Sequence, residues 1–119
     1  MQEGCTVNLT VRYLARKWSL LILLELYKGD GQTRRFSELK SCLPGITQKV
    51  LSARLKELEK EGLIKNHVDE NAFPIKSEYT LTESGLEIIN IIKDMKQWAL
   101  KWKITNIECG CQDCSECIL

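Results

Sequence analysis

Four cysteines crowd the end of the chain in the pattern C-x-C-x-x-C-x-x-C: Cys109, Cys111, Cys114 and Cys117. Soft thiolates at this density suit a thiophilic cation or an iron–sulfur cluster. Zinc is the common guest of four sulfurs, although structural zinc sites usually draw two cysteine pairs from separated loops. The C-x-x-C-x-x-C run is also that of an iron–sulfur loop, which ordinarily takes its fourth cysteine from elsewhere. Disulfide formation, within the tail or to Cys5, is a third reading, and a tail without a role is a fourth. Six cysteines, with no basic and apolar leader at the start, favour metal or thiol chemistry in the cytoplasm over structural disulfides. Cys42 reads as a small core residue. His67 is the only histidine and reads as a surface residue rather than a ligand. With no Ser/His/Asp set and no Gly-rich phosphate loop, no enzyme is expected.

A second set of residues could read nucleic acid. The stretch TQKVLSARLKELEKEG runs from Thr47 to Gly62. Leu51, Leu55 and Leu58 fall at i, i+4 and i+7, so they share one helical face. Gln48, Lys49, Ser52, Ala53 and Lys56 then point away from it. Gln can make a bidentate contact to adenine, and Lys can reach guanine or a phosphate. The first half of this helix is free of acids, while Glu57, Glu59 and Glu61 crowd its far end. Arg54 flanks the buried stripe, where it can reach a phosphate or pair with a neighbouring acid. Arg34 and Arg35 precede the segment, and Lys65 and Lys76 follow it, all placed for backbone contacts that fix position rather than read sequence. Residues 34–65 carry a net +4, the tail from 107 carries −3, and the whole chain +1. A basic patch remote from an acidic tail fits a local phosphate footprint, and equally fits ordinary solvated helix faces.

The elements that must position these residues follow from periodicity. Residues 6–28 read as one helix, dense in apolar residues from Trp18 to Leu26 and ended by Gly29-Asp30-Gly31. That apolar run is too short to span a bilayer, and no membrane partner is expected. Gln32 to Arg35 reads as a short strand. Phe36 to Cys42 reads as a short helix with Ser37 as its N-cap, and Pro44-Gly45 as a turn. Thr47 caps the next helix, Ile46 and Leu51 have the spacing of a hydrophobic staple, and Gly62-Leu63 forms a Schellman stop. Leu63–Val68 and Ile75–Leu81 read as a hairpin around Asn71 and Pro74. Thr82 caps a last helix, on which Ile88, Ile91, Met95, Trp98 and Trp102 alternate steps of three and four, a heptad-like seam suited to a partner copy. At 119 residues the chain holds one domain, residues 1–106, followed by a Cys-rich tail, 107–119.

Helix, turn, helix and hairpin in this order make a winged helix-turn-helix: mainly α, with a small β-hairpin wing. The segments ARKWSLLILLEL, RRFSELKSCLPGITQKVLSARLKELEKEGLI and SEYTLTESG resemble the HxlR-type transcription regulators, relatives of the MarR regulators, from about Cys5 to Trp102. The resemblance implies a homodimer joined through its terminal helices, bound to double-stranded DNA at a pseudo-palindromic operator. Some members of the family sense through a cysteine ahead of the first helix, the position that Cys5 resembles; a surface thiol without a role is the other reading of Cys5. Two features depart from the family: a longer loop from Gly29 to Thr33, and the four-cysteine tail. Two other classes stay open: a winged-helix module that binds protein through the same face, and a small thiol or iron–sulfur redox protein.

Overall fold

The computed structural model describes residues 4–71, 76–103, 110 and 112–116, with Lys76 described in its backbone. The helix expected over 6–28 is in fact two, α1 (Thr6–Leu14) and α2 (Ser19–Lys28). They part at Trp18, whose φ of 83° is left-handed. This conformation costs a bulky residue roughly 1–3 kcal/mol. Tertiary packing offsets it, because the Trp18 ring packs on the core with its edge beside Gly45. Local periodicity carries no trace of such a break. Beyond it, α2 is the buried centre of the fold: Ile22, Leu23 and Leu26 are fully enclosed.

After α2, a 3-10 turn over Asp30–Gln32 leads into strand β1 (Thr33–Arg35) and helix α3 (Phe36–Cys42). Arg35, not Ser37, is the N-cap of α3, and its N–H donates to the Glu38 carboxylate at 2.9 Å. Ser37 lies inside the helix, where its carbonyl accepts from the Ser41 hydroxyl. Leu43 and Ile46 are buried in the turn that follows, and Gly45 takes φ 92°.

Helix α4 (Gln48–Lys60) has both ends fixed locally. The Thr47 hydroxyl accepts from the Val50 N–H at 3.1 Å. At the far end Gly62 (φ 81°) donates to the Glu59 carbonyl and Leu63 to the Leu58 carbonyl, each at 3.0 Å. This is the Schellman pattern. Leu51, Leu55 and Leu58 are all buried, each contributing about 2 kcal/mol relative to exposure.

Strands β2 (Ile64–Asp69) and β3 (Lys76–Leu81) pair antiparallel, from Ile64 opposite Leu81 to Asp69 opposite Lys76. Strand β1 adds to the other edge of β3, giving the order β1-β3-β2. β2 starts one residue later than expected because the Leu63 N–H is committed to closing α4. The expected turn at Pro74 lies outside the described residues.

Thr82 caps helix α5 (Glu83–Trp102), accepting from the Gly85 N–H at 3.2 Å. The start of α5 is tied to the end of α4 at two successive carbonyls. The Gly62 carbonyl accepts from the Thr82 hydroxyl at 2.6 Å and the Ser84 hydroxyl at 2.9 Å, and the Thr82 N–H donates to the Leu63 carbonyl. Gly85 permits this approach, since a Cβ there would run into the Leu63 carbonyl and crowd Leu81. Gly85→Ala is therefore expected to destabilise the fold by about 2 kcal/mol, the cost of an overpacked contact against backbone. Urea unfolding measures this, and an unchanged midpoint would show that the joint yields. Among the described residues no helix is long and apolar enough to cross a membrane. The architecture is that of a winged helix-turn-helix: α3 and α4 form the helix-turn-helix, and β2 with β3 forms the wing.

Candidate nucleic-acid interface

Helix α4 presents Gln48, Lys49, Ala53 and Lys56 to solvent, with Ser52 half-buried beside them. Because Leu51, Leu55 and Leu58 fix the rotation of the helix, these polar residues form its outer face. No acid lies in the first turn. The N-terminal half of α4 is therefore a protruding, uncharged-to-basic surface, the form needed to approach base edges between two rows of phosphates.

The wing stands on one side of α4. Lys65 is exposed and opposite Thr80, and His67 is exposed and opposite Glu78. The backbone of Lys76 is paired opposite Asp69. Arg35 is half-exposed, with its guanidinium 3.8 Å from Glu78. Arg34 is placed differently from the other candidates. Its Nε donates to the Glu25 carbonyl at 2.6 Å, and its Nη2 lies 3.7 Å from the Glu25 carboxylate. Strand alternation sets this outcome, because successive side chains of β1 point to opposite faces. Arg34 thus braces β1 against α2, with its guanidinium turned to Glu25.

Beside α4 also lies a cationic flank that sequence reasoning missed. Arg12, Arg16 and Lys17 are exposed at the end of α1 and in the link to α2. A groove of about 370 Å³ separates this flank from Glu57 and Glu61 of α4. Arg16 reaches across to the Glu57 carboxylate at 3.5 Å. The signal in the sequence was R-x-x-x-R-K, but one unbroken helix through Trp18 would have carried these residues elsewhere. Arg54 takes the second of its two expected partners: its Nη1 lies 3.8 Å from Glu57, on the neighbouring turn.

The seam expected on α5 divides. Ile88 packs partly against its own core. Ile91, Met95, Trp98 and Trp102 remain between 52% and 64% exposed, although Ile89 and Ile92 of the same helix join or abut the core. Helix α1 buries none of its residues, and its Val7 and Val11 are exposed. Cys5 is the N-cap of α1 and is partly exposed. Cys42 is half-exposed at the end of α3, not the core residue expected, because Leu39 and Leu43 supply the inward contacts.

Of the tail cysteines, Cys109, Cys111 and Cys117 lie outside the described residues. Cys114 is buried in a 3-10 turn (Cys114–Glu116) packed against α2. The turn is clamped from below. Lys93 Nζ meets the Asp113 carboxylate at 2.6 Å and donates to the Tyr27 hydroxyl at 2.8 Å. Tyr27 in turn donates to Asp113 at 2.9 Å, and Lys96 donates to the Gln112 carbonyl at 2.7 Å. The Lys93 and then the Ser115 hydrogen bonds hold the Asp113 carboxyl well below its usual range, and Asp113 and then Tyr27 push Lys93 well above its own. A lowered carboxyl supports docking above its unfolded value and loses it only as pH falls through the lowered one. A raised lysine supports docking below its unfolded value and loses it as pH rises through the raised one. The clamp is thus indifferent to pH across the neutral range. Among the described residues no three metal-ligating side chains converge.

A family model described as HxlR-like helix-turn-helix matches residues 13–106. The HTH-type transcriptional regulator YvaP of Bacillus subtilis is 39% identical over 92 residues, 77% of this chain and 82% of that one. The reduced form of the transcriptional regulator YodB from B. subtilis superposes with a TM-score of 0.72 at 32% identity, covering 89% of this chain and 99% of YodB. The redox regulator HypR in its oxidized form gives a TM-score of 0.72 at 32% identity, covering 85% of this chain and all of HypR.

Proposed function

The chain belongs to the HxlR-like helix-turn-helix family of transcriptional regulators, and from that premise we propose that it binds a pseudo-palindromic DNA operator as a homodimer. One observation carries the reading. The buried leucine stripe turns an acid-free, exposed half-helix (Gln48, Lys49, Ala53, Lys56) outward, with a wing and a second cationic flank beside the same helix. Base contacts from α4 supply sequence preference, and phosphate contacts from the wing and the flank supply position. The relatives' role as regulators is non-enzymatic.

We further propose a thiol or metal input. YodB and HypR were solved in reduced and oxidised or diamide-treated states, and Cys5 is a partly exposed thiol at the N-cap of α1. The four soft thiolates of Cys109, Cys111, Cys114 and Cys117 suit zinc or an iron–sulfur cluster. Either would act next to the helix that carries the exposed seam.

The test is a salt titration of binding to an operator selected from random duplexes. Binding should weaken steeply with salt, with two chains per site. Zinc or a thiol oxidant should change the affinity. The variant with Ser at 109, 111, 114 and 117 loses a tail-borne response, and Cys5→Ser loses one borne by Cys5. Absence of salt-dependent duplex binding would instead favour a protein-binding winged helix.

A further inference from the structure

Glu57 is an acid on the helix proposed to enter DNA, and it does not face solvent freely. It stands between two arginines, Arg16 of the α1–α2 link at 3.5 Å and Arg54 of its own helix at 3.8 Å. All three lie on the flank of α4 turned toward α1. The bond to Arg54 is loose: at that distance it is Coulombic attraction without a hydrogen bond. Arg54 Nε and Glu57 Oε1 are both shielded from solvent, and neither makes a hydrogen bond. A guanidinium presents five donors in a fixed fork, well matched to a phosphate. Arg54 is therefore a phosphate-type ligand whose charge is partly offset and whose Nε is unfilled, on the same helix as the surface that would meet DNA. Arg12 and Glu61 line the same groove and offset each other, so the cluster stays net positive.

We propose that Glu57 masks Arg54 and so sets how much of the protein's DNA affinity comes from sequence-blind phosphate contact. The proposal rests on the DNA-binding reading above. While the pair holds, Arg54 and Glu57 together release no counterion on binding. With the carboxylate neutralised, Arg54 is free to take a phosphate. Because phosphate contacts carry no sequence information, the masked state favours discrimination over bare affinity. Glu57 thus acts through Arg54 as a specificity-setting residue, while Arg16 anchors it from the link.

The experiment uses the full chain and a random-sequence duplex, with affinity measured from about 50 to 200 mM salt. Glu57→Gln should steepen the salt slope by about 0.9, the increment for one added phosphate contact, and tighten random-duplex binding several-fold at the low end of that range. In an Arg54→Gln background the same substitution should leave the slope unchanged. Arg16→Gln should leave it unchanged or make it shallower, because the mask stays in place while one cation of the flank is removed. A purely structural effect of loosening α4 would appear in Arg16→Gln as well, so it separates from masking. An unchanged slope in Glu57→Gln overturns the proposal, as does equal steepening without Arg54. If the unsubstituted chain shows no salt-dependent duplex binding, the DNA-binding reading itself fails. Circular dichroism confirms the fold of each variant, and Glu57→Asp, which keeps the charge, should restore the original slope.

Discussion

A chain carrying Gln48→Ala and Lys49→Ala is expected to bind its operator no better than random DNA while staying folded. Both side chains are exposed in the first turn of α4 and touch none of the core, so little stability is at stake. Each well-formed base contact discriminates by about 1–3 kcal/mol. Two residues in each of two subunits then account for a loss of discrimination on the order of 10³ or more, since mismatches add when well separated. The residual affinity should keep its steep salt dependence, because Lys56, Lys65 and the flank arginines remain. The comparison is fluorescence anisotropy on the selected operator against a scrambled duplex. Undiminished discrimination in the double variant would move the reading surface off the start of α4, with the wing as the next place to look.

The second large effect is expected from Met95→Glu combined with Trp98→Glu. These residues leave apolar surface open on α5, in line with Ile91 and Trp102. Buried aromatic anchors dominate the energetics of such interfaces, and in a two-fold dimer each substitution is felt twice. Sedimentation should show a monomer at concentrations where the unsubstituted chain is a dimer. Operator affinity should fall by a factor on the order of 10² to 10⁴, because the second half-site is no longer bound intramolecularly. The monomer should remain folded, since neither side chain is part of the core. A variant that stays dimeric would place the interface elsewhere, with α1 and its exposed Val7 and Val11 as the alternative. A monomeric parent would remove the dimer reading altogether.

What the chain discloses in advance depends on how local the determinants are. Helix α4 was legible at both ends because Thr47, Gly62 and Leu63 act within one turn of the residues they serve. The helix over Phe36–Cys42 was legible in its bounds but not in its N-cap, and the strand at Thr33–Arg35 was legible although its pairing partner β3 lies far along the chain. The break at Trp18 was not: the apolar period runs on through it, and what stabilises its left-handed backbone is a contact with the turn near Gly45. That hidden break also concealed the cationic flank of Arg12, Arg16 and Lys17. Arg34 and Arg35 are indistinguishable as sequence, yet the register of β1 on β3 sends one to α2 and the other toward Glu78. The tail read as a cysteine motif, but its attachment is made by Asp113, Tyr27 and Lys93. Two of these are more than 60 residues from the third in the chain, and spacing rules do not reach that far.

The peptide at Gly62, gripped by the hydroxyls of Thr82 and Ser84, has a mechanical consequence. No slack separates α4 from α5, so the two helices move as the arms of a crank. The long arm, α5, spans 20 residues, about 30 Å. In a pair of copies joined along α5, a change of about 5° in its tilt would carry the Gly62 corner through roughly 3 Å. Each copy would swing its reading arm by that amount, against a half-site period of about 34 Å. An event midway along α5, where Lys93 and Lys96 hold the tail, needs no other relay to alter which spacing of half-sites the pair can straddle.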